Sequence, residues 1–267
     1  MPAHELPPGP VFDFHVRLAP RPGAVDRLLT VLDECGLDAA TVCAGGTIDP
    51  LVLSRHIIDG GHIDTDADND AVLAACQDSG GRLIPCYFAN PHRPVSAYRA
   101  RAAEFAALEI SPAVHGIGLT DLRVDKLVEI AATAGHSVYV VCLQRPGSAV
   151  ADLVALARRY PTVTFVLGHC GVGNIDYHGV ELIADEANVM LETSGGYSSV
   201  VAAALARLGP SRVLFGSEYP LQHPRVELAK YAALDLEPDQ WRQVAWDNAT
   251  RLVSPAVPAP AVLTRTS

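Results

Sequence analysis

Val11-Phe12-Asp13-Phe14-His15-Val16-Arg17 stands near the start of the chain. It is apolar enough to form a buried strand. Side chains alternate faces along a strand, so strict alternation places Asp13, His15 and Arg17 on one face and Phe12, Phe14 and Val16 on the other. Polar groups buried without partners cost roughly 1–3 kcal/mol each or more. A set of internal hydrogen bonds with an ion pair would meet that cost, and so would an active site at the strand's end. The residues after the strand are equally informative. His15-Val16-Arg17-Leu18-Ala19-Pro20 contains no glycine-rich phosphate turn. A doubly wound nucleotide-binding sheet usually carries one after its first strand.

Beyond this stretch, apolar strand segments alternate with helical periods. Strands are expected at Ala39–Ala44, Arg82–Phe88, Val114–Leu119, Ser137–Leu143, Thr162–Gly168, Val189–Thr193 and Arg212–Gly216. Helices are expected at Ala24–Glu34, stopped by Gly36, and at Asp70–Ser79, Val95–Leu108 and Ser198–Leu208, with Ser148 capping another. Strands apolar on both faces that alternate with helices imply a parallel sheet, and eight such units imply a closed (β/α)₈ TIM barrel. The expected organisation is one α/β domain over 1–267, with its core at about 11–252 and a loosely packed Pro/Ala-rich tail over 253–267.

Composition narrows the function. A formal net charge of −10 argues against nucleic acid and anionic membrane surfaces as partners. No apolar run approaches the roughly 20 residues of a membrane span, and the N-terminus lacks the pattern of a secretory signal. The six cysteines are scattered through apolar segments without a C-x-x-C pair, as expected of reduced thiols in a cytoplasmic protein. Cys86 and Cys170 are read as core thiols. Asp64, Asp66 and Asp68 lie in a long connection over 47–68. They fail the calcium-loop pattern, because Asn69 replaces its glycine and Ala75 its bidentate Glu. No G-x-S-x-G nucleophile elbow occurs.

In such barrels the active site is built at the C-terminal ends of the strands. Those ends present His15 and Arg17, Gly118-Leu119-Thr120, Cys142, His169, Glu192 and Glu218-Tyr219-Pro220. Two histidines and a carboxylate from three strand ends form the pattern of a divalent-metal site. His178, Tyr219 and His223 follow strands on the same side and are candidates for substrate contact. His115 and His136 precede expected strands, which places them at the opposite end. Glu192 could line the site or pair internally.

The chain resembles the amidohydrolase superfamily, in the group that includes aminocarboxymuconate-semialdehyde-type decarboxylases. The first strand resembles that family's Asp-x-His-x-His motif. Phe165-Val166-Leu167-Gly168-His169-Cys170-Gly171, Leu214-Phe215-Gly216-Ser217-Glu218-Tyr219-Pro220 and Asp247-Asn248-Ala249-Thr250-Arg251-Leu252 resemble its sixth-strand, eighth-strand and closing motifs. Asn69-Asp70-Ala71 and Ala89-Asn90-Pro91 match weaker markers. The resemblance implies a TIM barrel, one divalent ion (zinc or manganese), and hydrolysis or decarboxylation of a small carboxylated substrate. It leaves room for a homodimer.

Departures from the family pattern are specific. Arg17 stands at the second motif histidine, Cys142 falls at the fifth-strand histidine (or Val141, if the register slips by one), and Glu218 replaces the eighth-strand Asp. Three arrangements are compatible with these changes. A metal could be held by His15, His169, Glu218 and Cys142. A metal-independent enzyme could use Arg17 as a bidentate anion anchor, with Glu218 and a histidine as base and acid. The barrel could also serve as a non-catalytic binding subunit.

Overall fold

The computed structural model describes residues 5–253. Residues 254–267 of the expected tail lie outside them. Eight parallel strands follow one another in sequence order: β1 Phe12–Leu18, β2 Ala39–Ala44, β3 Leu83–Phe88, β4 Ala107–Ile110, β5 Ser137–Val140, β6 Phe165–Leu167, β7 Val189–Glu192 and β8 Val213–Leu214. Three backbone hydrogen bonds then close the ring. Phe14 N donates to Phe215 O, Glu218 N to His15 O and Arg17 N to Tyr219 O, at 2.9, 2.8 and 2.7 Å. The molecule is a (β/α)₈ barrel. No helix among the described residues is long and apolar enough to cross a membrane.

Alternate strand residues serve two cores. Val138, Val140, Phe165, Leu167, Val189 and Leu191 pack in the larger cluster with the surrounding helices. Tyr139, Val166, Met190 and Leu214 belong to a smaller one that also holds Ala249 and Leu252 of the last helix. That helix is tied on by Asn248, whose amide donates to Pro210 O and Val213 O, both at 2.8 Å. Asn69 likewise brackets Phe88, donating to its carbonyl and accepting from its N–H. These two asparagines of the motifs have structural work.

Three expectations change. First, β1 does not alternate strictly. Its register against β2 shifts between Asp13 and Val16. Such a bulge re-aims side chains. Phe12 and Phe14 join the smaller cluster, Val16 and Leu18 join the larger one, and His15 still stacks on Tyr139.

Second, β4 is not Val114–Leu119. The alanine-rich run expected to be one helix over Val95–Leu108 forms a helix at Ser96–Arg101, a short turn at Ala102–Glu104, and then β4. Alanine favours helix locally, but pairing with β3 and β5 overrides that preference here. The end of the fourth strand therefore carries Glu109. His115 follows β4 on the catalytic face, in a helical turn at Pro112–His115, rather than preceding a strand at the opposite end.

Third, the connection after β2 contains a helix at Pro50–Asp59. Two of its acidic residues are already engaged. Asp66 accepts from Arg93 and Asn90, and Asp68 caps the helix Asn69–Gln77 through Ala71 N. The helix after β5 is capped at Ala149 rather than Ser148.

Candidate active site

His15, Arg17, Glu109, Tyr139, His169, Glu192 and Glu218 come together at the C-terminal mouth. Two of them sit on backbone that side chains other than glycine rarely adopt. His169 has φ 56° and Glu218 φ 58°. His169 comes two residues after β6 and Glu218 four residues after β8, and at each the chain turns sharply at the mouth. Backbone of this kind concentrates at functional sites.

Arg17 is committed to carboxylates of its own chain. Its Nη2 donates to Glu109 Oε1 at 2.7 Å and its Nε to Glu218 Oε1 at 2.7 Å. Its Nη1 faces Glu109 Oε2 at 3.4 Å and Ala44 O at 3.5 Å, and the guanidinium lies over the Phe88 ring. The free bidentate clamp expected of Arg17 is therefore not what the barrel holds. Burial opposes the charge on Arg17, yet Glu109 and Glu218 outweigh it and hold the guanidinium charged. Burial also opposes the charge on Glu109, but Arg17 and His15 keep that carboxyl well below the usual carboxylate range.

His15 Nε2 bonds Glu109 Oε2 at 3.1 Å. An ionised carboxylate only accepts, so Nε2 carries the hydrogen. The other ring nitrogen, Nδ1, has no hydrogen-bond partner and lies 3.7 Å from Glu218 Oε2, which also has none. His169 Nδ1 lies 2.5 Å from the same oxygen. Burial and Arg17 lower the pKa of His15, but Glu109 and Glu218 prevail and raise it. His169 moves the other way, chiefly through burial, against the pull of Glu218 and Glu192. Glu218 is buried too, but His169, Arg17 and His15 hold its carboxyl down.

Glu192 at the end of β7 resolves to an internal acceptor. It takes hydrogen bonds from Tyr139 Oη at 2.7 Å, His169 N at 3.0 Å and Ser194 Oγ at 2.9 Å. Ser194 Oγ also lies 2.9 Å from His169 Nδ1, so this nitrogen has both Ser194 and Glu218 within reach. Tyr139 stacks on His15 with ring centroids 4.1 Å apart, and its hydroxyl lies 3.5 Å from both ring nitrogens of His169. Asp13 ties β1 to the end of β8 by accepting from Ser217 N at 2.9 Å. Burial pushes its carboxyl up to about 7.

His15, His169 and Glu218 each offer one ligand atom, and these atoms lie within 4.8 Å of one another. Two histidines and a glutamate form an accepted donor set for a catalytic divalent ion. The unpartnered His15 Nδ1 lies 3.7 Å from Glu218 Oε2, a spacing that fits a cation between them. Behind them, Glu109 orients His15 in the manner of a carboxylate supporting a metal-bound histidine. Cys142 does not join this group. It is buried, burial drives its thiol up beyond the range of a ready ligand, and the charged groups acting on it are Asp176 and Asp152. Cys170 is a core thiol, pushed up to about 12 by burial.

The remaining candidates lie at the rim. Tyr219 is half-buried, and its ring meets that of His223 edge-on. His223 is exposed and caps the helix Pro224–Ala232 by accepting from Arg225 N. His178 is exposed on the helix Tyr177–Ile183. Glu109, Tyr139 and Ser194 join the site without having been marked by the sequence pattern. A carboxylate interrupting the apolar run Phe105–Ile110 is the one sequence sign of Glu109.

Solved structures share the fold. A 5-carboxyvanillate decarboxylase from Novosphingobium aromaticivorans, with bound manganese and a nitrobenzoic acid, matches with TM-score 0.69 at 15% identity, over 91% of this chain and 97% of that one. A dihydroxybenzoic acid decarboxylase from a Polaromonas species, with manganese and 2-nitroresorcinol, matches with TM-score 0.68 at 14% identity, over 92% and 97%. A probable 2-pyrone-4,6-dicarboxylic acid hydrolase from Acinetobacter baumannii, with citric acid bound, gives TM-score 0.68 at 14% identity, over 91% and 99%. No curated protein matches the chain. The family model described as Amidohydrolase matches residues 13–254. With that span of the barrel covered, the chain belongs to the amidohydrolase family, and its reading as an enzyme stands with it.

Proposed function

We propose that the protein cleaves a small carboxylated substrate, by decarboxylation or hydrolysis, at His15, His169 and Glu218. The observation that carries this reading is the meeting of Glu218 Oε2 with His169 Nδ1 at 2.5 Å, beside the unpartnered His15 Nδ1. Side-chain exposure rises from 2% at His15 through 11% at Glu218 to 24% at His169, so substrate reaches the group from the His169 side. The carboxylated substrates of the three neighbouring structures support the choice of substrate class.

His15, His169 and Glu218 would hold one divalent ion, zinc or manganese, which when bound supplies Lewis acidity toward a substrate oxygen. The chain's own residues move the proton. When no ion is bound, Glu218 and His169 are in contact, so a proton taken up by one is within reach of the other. In decarboxylation that proton goes to the carbon losing its carboxylate, as the C–C bond breaks and leaves its electron pair there. In hydrolysis the same pair takes a proton from the attacking water and returns it to the leaving oxygen. Ser194 and Glu192 hold the His169 ring, and Tyr139 covers the inner side of both histidines.

A metal-independent version of this chemistry is favoured by one observation. Arg17 already neutralises Glu109 and one oxygen of Glu218. The test is a panel of hydroxylated benzoates and carboxylated lactones, followed by CO₂ release and by ring opening, with metal content measured on the same samples. Glu218→Gln and His169→Ala should each lower turnover by about 10²–10⁴-fold. Full turnover in both variants would remove this assignment. Undiminished turnover in metal-free protein would select the metal-independent version.

A further inference from the structure

A second feature of the same barrel face is a cavity of about 300 Å³, lined by loops that follow the strands. Its walls come from the loops after β2, β4 and β5, including Gly60, Gly116, Gly118, Arg145 and Ser148. Glu109 and Tyr139 lie on the two strands that feed the last two of these loops. The cavity therefore opens above β4 and β5, the strands that carry Glu109 and Tyr139.

Glycines bring these loops together. A Cβ on Gly116 would come within 2.5 Å of Gly61 O, and one on Gly118 within 3.0 Å of Gly147 O. The walls are consequently backbone, and the side chains that give the space its chemistry are few. Arg145 and His62 are its charged or chargeable groups, and no carboxylate lines it. In a chain of net charge −10, a cavity bounded this way is a local exception.

Arg145 also differs from Arg17 in what it has left to offer. Its Nη2 donates to His56 O and Ile57 O at 2.6 and 2.7 Å, clipping the end of the helix Pro50–Asp59 and fixing the guanidinium plane. Among the described residues, its Nε and Nη1 have no hydrogen-bond partner, and it makes no ion pair. Nη1 lies against Gly60, where a Cβ would come within 3.2 Å. The Ser148 hydroxyl is likewise without a partner among the described residues. A held guanidinium with spare donors, next to a spare hydroxyl, is suited to a planar anion.

We propose that this cavity is a carboxylate subsite, with Arg145 as anchor and Ser148 as second donor, for a carboxylate that is not the reacting group. It rests on the proposed function, in which the substrate is carboxylated, and it narrows that reading to molecules with two anionic ends. Arg17 holds the reacting group together, and Arg145 binds the remote end.

Binding of isophthalate, benzoate and inorganic phosphate, measured by calorimetry on the full chain, tests this. Isophthalate should bind more tightly than benzoate. Arg145→Gln should weaken isophthalate by about tenfold or more, the effect of losing a charged hydrogen bond. Benzoate should change little. Ser148→Ala removes no protein hydrogen bond of the hydroxyl and so keeps the fold. It should weaken isophthalate by about two- to fivefold, and this holds the test open if Arg145→Gln fails to fold. Equal isophthalate affinity in wild type and in both variants overturns the subsite. Arg145-dependent binding of phosphate that exceeds that of isophthalate overturns the carboxylate assignment. The Arg145 effect should persist in a His169→Ala background. There it stands even if no panel compound is turned over, so failure of the proposed reaction and failure of the subsite are told apart.

Discussion

Arg17 Nη2 and Glu109 Oε1 meet at 2.7 Å inside the barrel mouth, joining the end of β1 to the end of β4. Glu109 is fully buried and serves His15 with its other oxygen. Removing one partner of such a pair leaves an uncompensated buried charge, which typically costs about 3–5 kcal/mol. Glu109→Gln should lower unfolding free energy by that amount in urea titrations. Adding Arg17→Met to it should restore part of the loss, because the buried cation, left with Glu218 alone, is gone. A single variant within about 1 kcal/mol of wild type would show that Glu218 and water, not Glu109, carry the charge of Arg17.

The same cluster bears on metal-free protein. Arg17 is held charged and the pKa of His15 is raised, while Glu109 and Glu218 are held ionised. The Arg17 cation, with His15 biased toward its charged form, then faces two carboxylates. Chelator-treated protein should remain folded, with a single cooperative thermal transition. Zinc or manganese should then raise the midpoint, by about 2.7 kcal/mol of stability at a hundredfold excess over Kd. Unfolding on chelation alone would mean that the cluster cannot balance itself.

His169 and Glu218 are legible in the sequence because each comes shortly after a strongly apolar strand and sits in a compact motif. The positive charge of Arg17 is legible as well, but not its partners. Glu109 stays hidden because it follows a run of alanines whose local preference is helical, and only pairing with β3 and β5 makes that segment a strand. Tyr139 stays hidden for a different reason. Which face of a strand looks inward depends on register around the whole ring, and the bulge in β1 shows how a local shift changes that phase. Cys142 illustrates the same limit: it lies two residues past β5 as His169 lies two past β6, yet only His169 joins the cluster.

His115 gives a pH dependence whose sign can be worked out. It is fully buried, neither ring nitrogen has a partner, and burial lowers its pKa to about 4. Between about 4 and 6.5 the unfolded chain binds a proton at this residue and the folded chain does not, so stability rises with pH across that window. Acidification from pH 6.5 to 4 should therefore remove about 3 kcal/mol through this residue, the equivalent of its shift at 1.36 kcal/mol per unit. His115→Leu should flatten the stability profile in that window by about one proton. An unchanged slope would place the acid sensitivity elsewhere.

Gly168 is the residue that gives Tyr139 its place. A Cβ at this position would stand 2.4 Å from the Tyr139 ring and hydroxyl. The ring cannot simply retreat, because its face is stacked on His15 and its hydroxyl is bonded to Glu192. Gly168→Ala should thus destabilise the protein by about 1–3 kcal/mol, as overpacking does. It should also displace Tyr139 against His15 and His169, and misplacement of about 1 Å can lower a rate by 10²-fold. Tyr139→Phe separates the two effects. It keeps the ring and removes only the hydroxyl, leaving Glu192 short of one donor at a cost of about 1–3 kcal/mol. If the ring positions the histidines, Tyr139→Phe loses stability while keeping much more turnover than Gly168→Ala. Equal turnover in the two variants would assign the effect to the Glu192 hydrogen bond instead.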